Sequence, residues 1–369
     1  MVFEILVAII NFVFKTQHLP VMTSFESDYN NGMLPEILER LIQTNSEKTT
    51  GYGYDPFCES AREKIRLACA KPEADVFFLI GGTQTNATVI DSLTVGCEGV
   101  LTAGSGHINV HESGAVEASG HKVLVVPAEG SKISAEGIDE YMEAFHADET
   151  YPHMVQPRVV YMSFPSELGD IYSAKELSGI YDVCRKHDLL LFVDGARLGY
   201  GLMSPKCDVS LPFLADHCDA FYIGGTKVGA MFGEAVVFPN GNSPKYFFTT
   251  VKRHGALLAK GRMLGIQFDT LFTDDLYFKA ARHAIDMAER MKGIFTRHGI
   301  SFGADSPTNQ QFVILTREQK ESLFKQIAFE VWSPLPDDRL LCRFVTSWAT
   351  TEEDLEALDR ALRGTDGDS

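Results

Sequence analysis

The chain has no C-x-x-C pair; its seven cysteines (Cys58, Cys69, Cys97, Cys184, Cys207, Cys218, Cys342) are scattered and odd in number. That pattern argues against a disulfide framework and a structural zinc site. It fits a reducing, cytoplasmic compartment. Basic charge is scarce: 33 Lys and Arg stand against 50 Asp and Glu, a formal net charge of −17. Neutralising phosphates needs a basic face, so nucleic acid is not expected as a partner. No G-x-G-x-x-G occurs, which counts against a nicotinamide dehydrogenase. There is no internal repeat, no low-complexity tract and no long apolar span. The one apolar run, Met1–Phe14, is broken by Glu4 and Asn11 and is too short to cross a bilayer comfortably. It also lacks the basic start and small-residue cleavage site of a secretory signal. Residues 1–21 are therefore expected to be an extension outside the fold, and no membrane partner is expected.

What remains is an ordinary globular composition, 45% hydrophobic and 22% charged over 369 residues. Short apolar runs alternate with helical patterns. Strands are expected at 75–80, 99–103, 122–126, 158–163, 189–194, 220–223 and 235–238. Helices are expected at 35–45, 57–69, 135–145 and 174–187, with another opening at Gly81. Strands alternating with helices imply an α/β fold with a mostly parallel sheet. Near residue 270 the character changes. A long amphipathic helix over 275–297, strands at 311–315, 326–332 and 340–345, and a helix at 352–363 predict a smaller α+β unit. The expected division is thus 22–270 and 271–369.

The chemistry concentrates at strand ends. Ala220-Phe221-Tyr222-Ile223 runs into Gly224-Gly225-Thr226-Lys227, and Leu190-Leu191-Phe192-Val193 delivers Asp194-Gly195-Ala196-Arg197. A lysine at the end of a buried strand is costly without a task. In one parallel sheet, Lys227 and Asp194 point into the same crevice. The pair suits pyridoxal phosphate, with Lys227 as Schiff base and Asp194 on the pyridinium nitrogen; a buried ion pair without cofactor is the alternative. Gly81-Gly82-Thr83-Gln84-Thr85-Asn86 opens a helix, and such an N-terminus is a ready anion site or simply a capped turn. Gly104 to Ala115 holds His107, His111 and Glu112. No further ligands complete a metal site there. A histidine ring at a strand end can instead stack on a flat cofactor.

Together with Ser27-Asp28, Gly114-Ala115 and Arg343, these motifs resemble the low-specificity threonine aldolases. That family belongs to the aspartate-aminotransferase-like, fold type I pyridoxal phosphate enzymes and is grouped with the β-eliminating lyases. The resemblance runs from about Met22 to the C-terminus. It departs at Gly224-Gly225-Thr226-Lys227, where many relatives carry Ser-Lys followed by glycine. It implies a seven-stranded large domain with a small C-terminal one. It also implies roles: Lys227 and Asp194 as above, Arg197 on the cofactor's phenolic oxygen, Gly82 and Thr83 on its phosphate, and His107 on the ring face. Arg343 with Ser27 would take the substrate carboxylate, and His153 would stand near the substrate hydroxyl.

The expected activity is cleavage of β-hydroxy-α-amino acids, such as threonine or allo-threonine, to glycine and an aldehyde, with no metal. A β-eliminating lyase or an aminotransferase would use the same Lys227 and Asp194; a non-catalytic phosphometabolite scaffold would need neither. A homodimer or homotetramer with active sites at the dimer interface is expected; Lys252, Arg253 and Arg262 read as a solvated helix face or, in this fold, as a cluster that can reach across the interface toward a neighbouring cofactor. A chain beginning at Met22 should fold, bind cofactor and keep activity. Loss of solubility or turnover on removing residues 1–21 would show that the extension packs into the fold.

Overall fold

The computed structural model describes residues 22–128 and 130–363, so the expectation for residues 1–21 lies outside it. Seven strands form the main sheet: β2 (Asp75–Leu79), β3 (Glu98–Ala103), β4 (Lys122–Val126), β5 (Gln156–Ser163), β6 (Leu190–Asp194), β7 (Ala220–Gly224) and β8 (Glu234–Phe238). Their order is β2-β8-β7-β6-β5-β3-β4. All pairings are parallel except those of β8, which runs antiparallel to both neighbours. This is the mostly parallel α/β sheet expected from the alternating pattern.

The strands read as continuous apolar runs because both faces are covered. Val160, Met162, Leu191, Val193, Phe221 and Ile223 enter one core. Val159, Tyr161, Phe192, Ala220 and Tyr222 enter the other. Successive side chains of one strand thus serve opposite cores. Parallel direction also puts the residues that follow β3, β5, β6 and β7 at one edge of the sheet. The helix Gly82–Leu93, which follows β2, begins at the same edge.

The C-terminal part carries a second sheet. Strands β9 (Ser301–Ala304), β10 (Gln310–Leu315), β12 (Glu330–Pro334) and β13 (Leu340–Val345) pair antiparallel in the order β12-β13-β10-β9. The single strand expected over 326–332 is instead β11 (Ile327–Ala328) followed by the start of β12. β1 (Thr23–Ser24) pairs with β11, and Phe25 joins the C-terminal core beside Phe344, at 6.4 Å between ring centroids. The first described residues therefore pack on the small unit, not on the large one in which the expected 22–270 division put them. The helix Leu276–Arg297 joins the two units. Tyr277, Ala281 and Ile285 pack in the large core, and Met291, Ile294 and Phe295 in the small one.

Candidate active site

At the carboxyl edge of the sheet, Gly82, Asn86, His107, Glu112, Asp194, Arg197, Tyr222 and Lys227 line one cavity. Two glycines permit the close packing beneath it. A Cβ on Gly195 would stand 1.8 Å from the Tyr222 carbonyl, and one on Gly224 would stand 2.3 Å from that of Ala196. Only bare backbone lets the ends of β6 and β7 approach this closely.

Asp194 is 4% exposed and fully engaged. The Tyr161 hydroxyl (2.5 Å) and Asn86 Nδ2 (2.9 Å) donate to its Oδ2; the Tyr222 hydroxyl (2.5 Å) and Ala196 N–H (2.9 Å) donate to Oδ1. Burial pushes the carboxyl up. The nearby His107, the two phenols and the Ala196 N–H outweigh it and hold the carboxyl below its usual range. Asn86 Nδ2 also donates to Glu112 Oε1 at 2.7 Å, the same oxygen that holds His107 Nδ1 at 2.7 Å. The carboxylate thereby orients the imidazole.

Lys227 lies beyond β7 on a pinned loop. Tyr200 donates to the Lys227 carbonyl at 2.5 Å, and Gly225 and Thr226 N–H both donate to the Gly233 carbonyl. Burial and then the Arg197 charge push the amine down, against the pull of Asp28, Asp194 and Glu234. Arg197 grips Asp28 with two hydrogen bonds, 2.7 Å from Nε and 3.0 Å from Nη2. Arg343 reaches the region from β13. Its Nη1 donates to Gln310 at 2.9 Å, its Nη2 contacts Glu330, and its guanidinium lies 5.0 Å over the Trp332 ring. Its Nε is buried without a partner.

Some expectations are relocated. His153 ends the short helical turn Tyr151–His153 that leads into β5, whereas Ser163, at the other end of that strand, faces the cavity. Eight residues of strand separate the two ends, about 26 Å. The structure does not bring His153 to the other site residues of its own chain. The Thr83 side chain is exposed on a groove with Arg253 and His254, so only the backbone of the helix start is offered to the cavity. Ser27 is half-buried, and its hydroxyl donates to Asn30 at 2.7 Å. The basic cluster disperses: Arg253 pairs with Asp91, Arg262 holds the Thr44 and Glu47 carbonyls, and Lys252 covers the Tyr52 ring. Sequence reasoning missed Tyr161, Tyr222, Asn86 and Glu234.

Comparison with known proteins decides the family. The beta-eliminating lyase model matches residues 24–318. The chain belongs to the beta-eliminating lyase family. Within it, a threonine aldolase from Leishmania major is 38% identical, with a TM-score of 0.89 over 93% of this chain and 99% of that one. A low-specificity L-threonine aldolase from Pseudomonas is 27% identical over 92% of this chain and 96% of its own. A Thermus thermophilus aspartate aminotransferase, 15% identical with a TM-score of 0.66 over 97% of this chain and 95% of that one, shares the fold. This lyase depends on pyridoxal phosphate, and the cavity fits that group. Asn86 Oδ1 and Glu112 Oε2 are buried in its wall without partners. The helix Gly82–Leu93 starts at Gly81 without a side-chain cap, which leaves its N–H groups for an anion.

Asp194→Asn keeps the shape but removes the charge. The variant should still bind cofactor, seen by its visible absorbance, while turnover falls by ~10²-fold, the scale of losing a positioned electrostatic group. Near-normal turnover would mean that Asp194 does not face the ring nitrogen.

Proposed function

We propose that this lyase cleaves threonine-like β-hydroxy-α-amino acids to glycine and an aldehyde. The observation that carries the reading is that β13 brings Arg343 within the electrostatic reach of Arg197 and Asp28, the pair beside the Lys227 and Asp194 cavity. The likeness to threonine aldolases in both sequence and structure supports it. When bound, pyridoxal phosphate supplies an aldehyde that condenses with amines and a ring that draws electrons from the substrate Cα.

The chain's own residues do the rest. Lys227 would hold the cofactor, and its depressed basicity favours the neutral amine that such a bond needs. Asp194 would keep a proton on the ring nitrogen. His107, braced by Glu112, would cover the ring. Arg197, with its charge offset by Asp28, would serve the phenolic oxygen. The N–H groups at Gly82 and Thr83 would take the phosphate. Arg343 receives the substrate carboxylate through Nε and Nη2, which requires Glu330 to yield Nη2. The Ser27 hydroxyl, on the segment that carries Asp28, assists by turning from Asn30.

The working form is a homodimer or homotetramer. Support comes from a cavity that opens between Tyr52, Tyr54, Phe77, Phe248, Leu257 and Leu258, with Tyr52, Tyr54 and Phe248 exposed. A glycine-producing role in the cytoplasm agrees with seven free cysteines and with the lack, among the described residues, of a helix long and apolar enough to cross a membrane.

The test is to incubate the protein with threonine, serine and glycine and measure aldehyde and keto acid. Aldehyde with glycine is expected from threonine; keto acid from serine without aldehyde from threonine would favour β-elimination instead. Arg343→Lys keeps the charge but loses the planar fork. KM for threonine and the apparent Kd for glycine should rise together by roughly tenfold, the scale of one charge-assisted hydrogen bond. Unchanged values for both would take Arg343 out of carboxylate binding.

A further inference from the structure

Within one chain His153 stands at the far end of β5, so an acceptor for the β-hydroxyl proton on the same chain as Lys227 must be another residue. His107 is committed through Nδ1 to Glu112. One turn further on, His111 closes the short helix His107–Val110. Its ring lies 5.6 Å from the His107 ring and 6.0 Å from that of Trp332, between centroids. The same Trp332 ring carries the Arg343 guanidinium at 5.0 Å. His111 therefore stands between the imidazole assigned to the cofactor face and the cation assigned to the carboxylate.

We propose that His111 is the base that takes the proton of the substrate's β-hydroxyl group. The inference rests on the aldolase reading above. The hydroxyl proton passes to an imidazole nitrogen. The O–H electron pair becomes the second bond of the aldehyde carbonyl, the Cα–Cβ bond breaks, and its electron pair stays with Cα, which then takes a proton from solvent. The imidazolium returns its proton to water, so the step needs no oxidant or further reactant.

The surroundings favour this work. The charged and titratable groups facing His111 are His107 on its own helix, Glu330 on β12 and Arg343 on β13. Burial, with the charges of His107 and Arg343, holds the imidazole below its usual range against the pull of Glu330. A lowered value keeps the ring neutral, and so able to accept a proton, at neutral pH and somewhat below it. Base function is lost only as pH falls through that lowered value.

The experiment compares the cofactor-loaded wild type with His111→Phe and His111→Asn. Aldehyde release from threonine and allo-threonine is followed across acid and neutral pH, and glycine affinity is read from the visible absorbance change on binding. In both variants threonine cleavage should fall by ~10²-fold or more, the contribution of a positioned general base. The acid limb of kcat/KM should vanish, and glycine affinity should stay as in the wild type. An unchanged threonine rate, or the same acid limb in His111→Phe, would overturn the assignment and leave the aldolase reading standing. A parallel loss of glycine affinity would make His111 a binding or packing residue and equally overturn it. Wild type that makes no aldehyde from threonine would remove the underlying reading as well.

Discussion

A carboxylate sealed from water at the end of β6 governs this molecule. Burying an ionised group costs several kcal/mol unless donors replace its hydration. For Asp194 the replacements come from Tyr161 on β5, Tyr222 on β7, Asn86 on the helix behind β2 and the backbone of Ala196. One charge thus fixes the relative positions of three neighbouring elements. Through Asn86 and Glu112 the same constraint reaches His107. Geometry at the cavity follows from where that charge must be satisfied.

The opposite sign is managed differently. Lys227 has no ion-pair partner within hydrogen-bonding distance among the described residues; its charge is opposed by burial and by Arg197. Asp28 neutralises Arg197, and Asn309 donates to Asp28 at 2.9 Å, so residues from both ends of the chain adjust the cavity's potential. Glu234 accepts from Thr226 Oγ1 at 2.7 Å and Gly225 N–H at 3.1 Å, and burial pushes its carboxyl up. The loop before the lysine is therefore tied to a group that itself resists ionisation, which favours an uncharged amine at its tip.

The main sheet was legible because strands buried on both faces read as unbroken apolar runs ended by glycine or a charged residue. Lys227, Asp194, Arg197 and His107 were legible for the same reason, since they follow such runs. Tyr161 and Tyr222 were not: inside a run with no polar face, nothing distinguishes a ring that packs from a hydroxyl that donates. Ser301–Ala304 escaped because a short, partly exposed strand with a glycine carries no periodic pattern. The β1–β11 pairing joins segments some three hundred residues apart, and two residues hold no period. For His153, expected by likeness near the substrate hydroxyl, strand direction puts it away from the cavity of its own chain. A residue before a parallel strand stands at the opposite edge of the sheet from residues that follow one.

The helix Leu276–Arg297 spends its first half in one hydrophobic core and its second half in the other. At 1.5 Å per residue it is a rod of about 33 Å, with no proline in its sequence to bend it. Neither core can melt without stripping packing from half of a shared element. Heating should therefore give one cooperative calorimetric transition rather than two, and resolved transitions would contradict this. The rod also acts as a spacer. The strand that carries Arg343 and the loop that carries Lys227 are thus tied through one continuous helix rather than through a flexible linker.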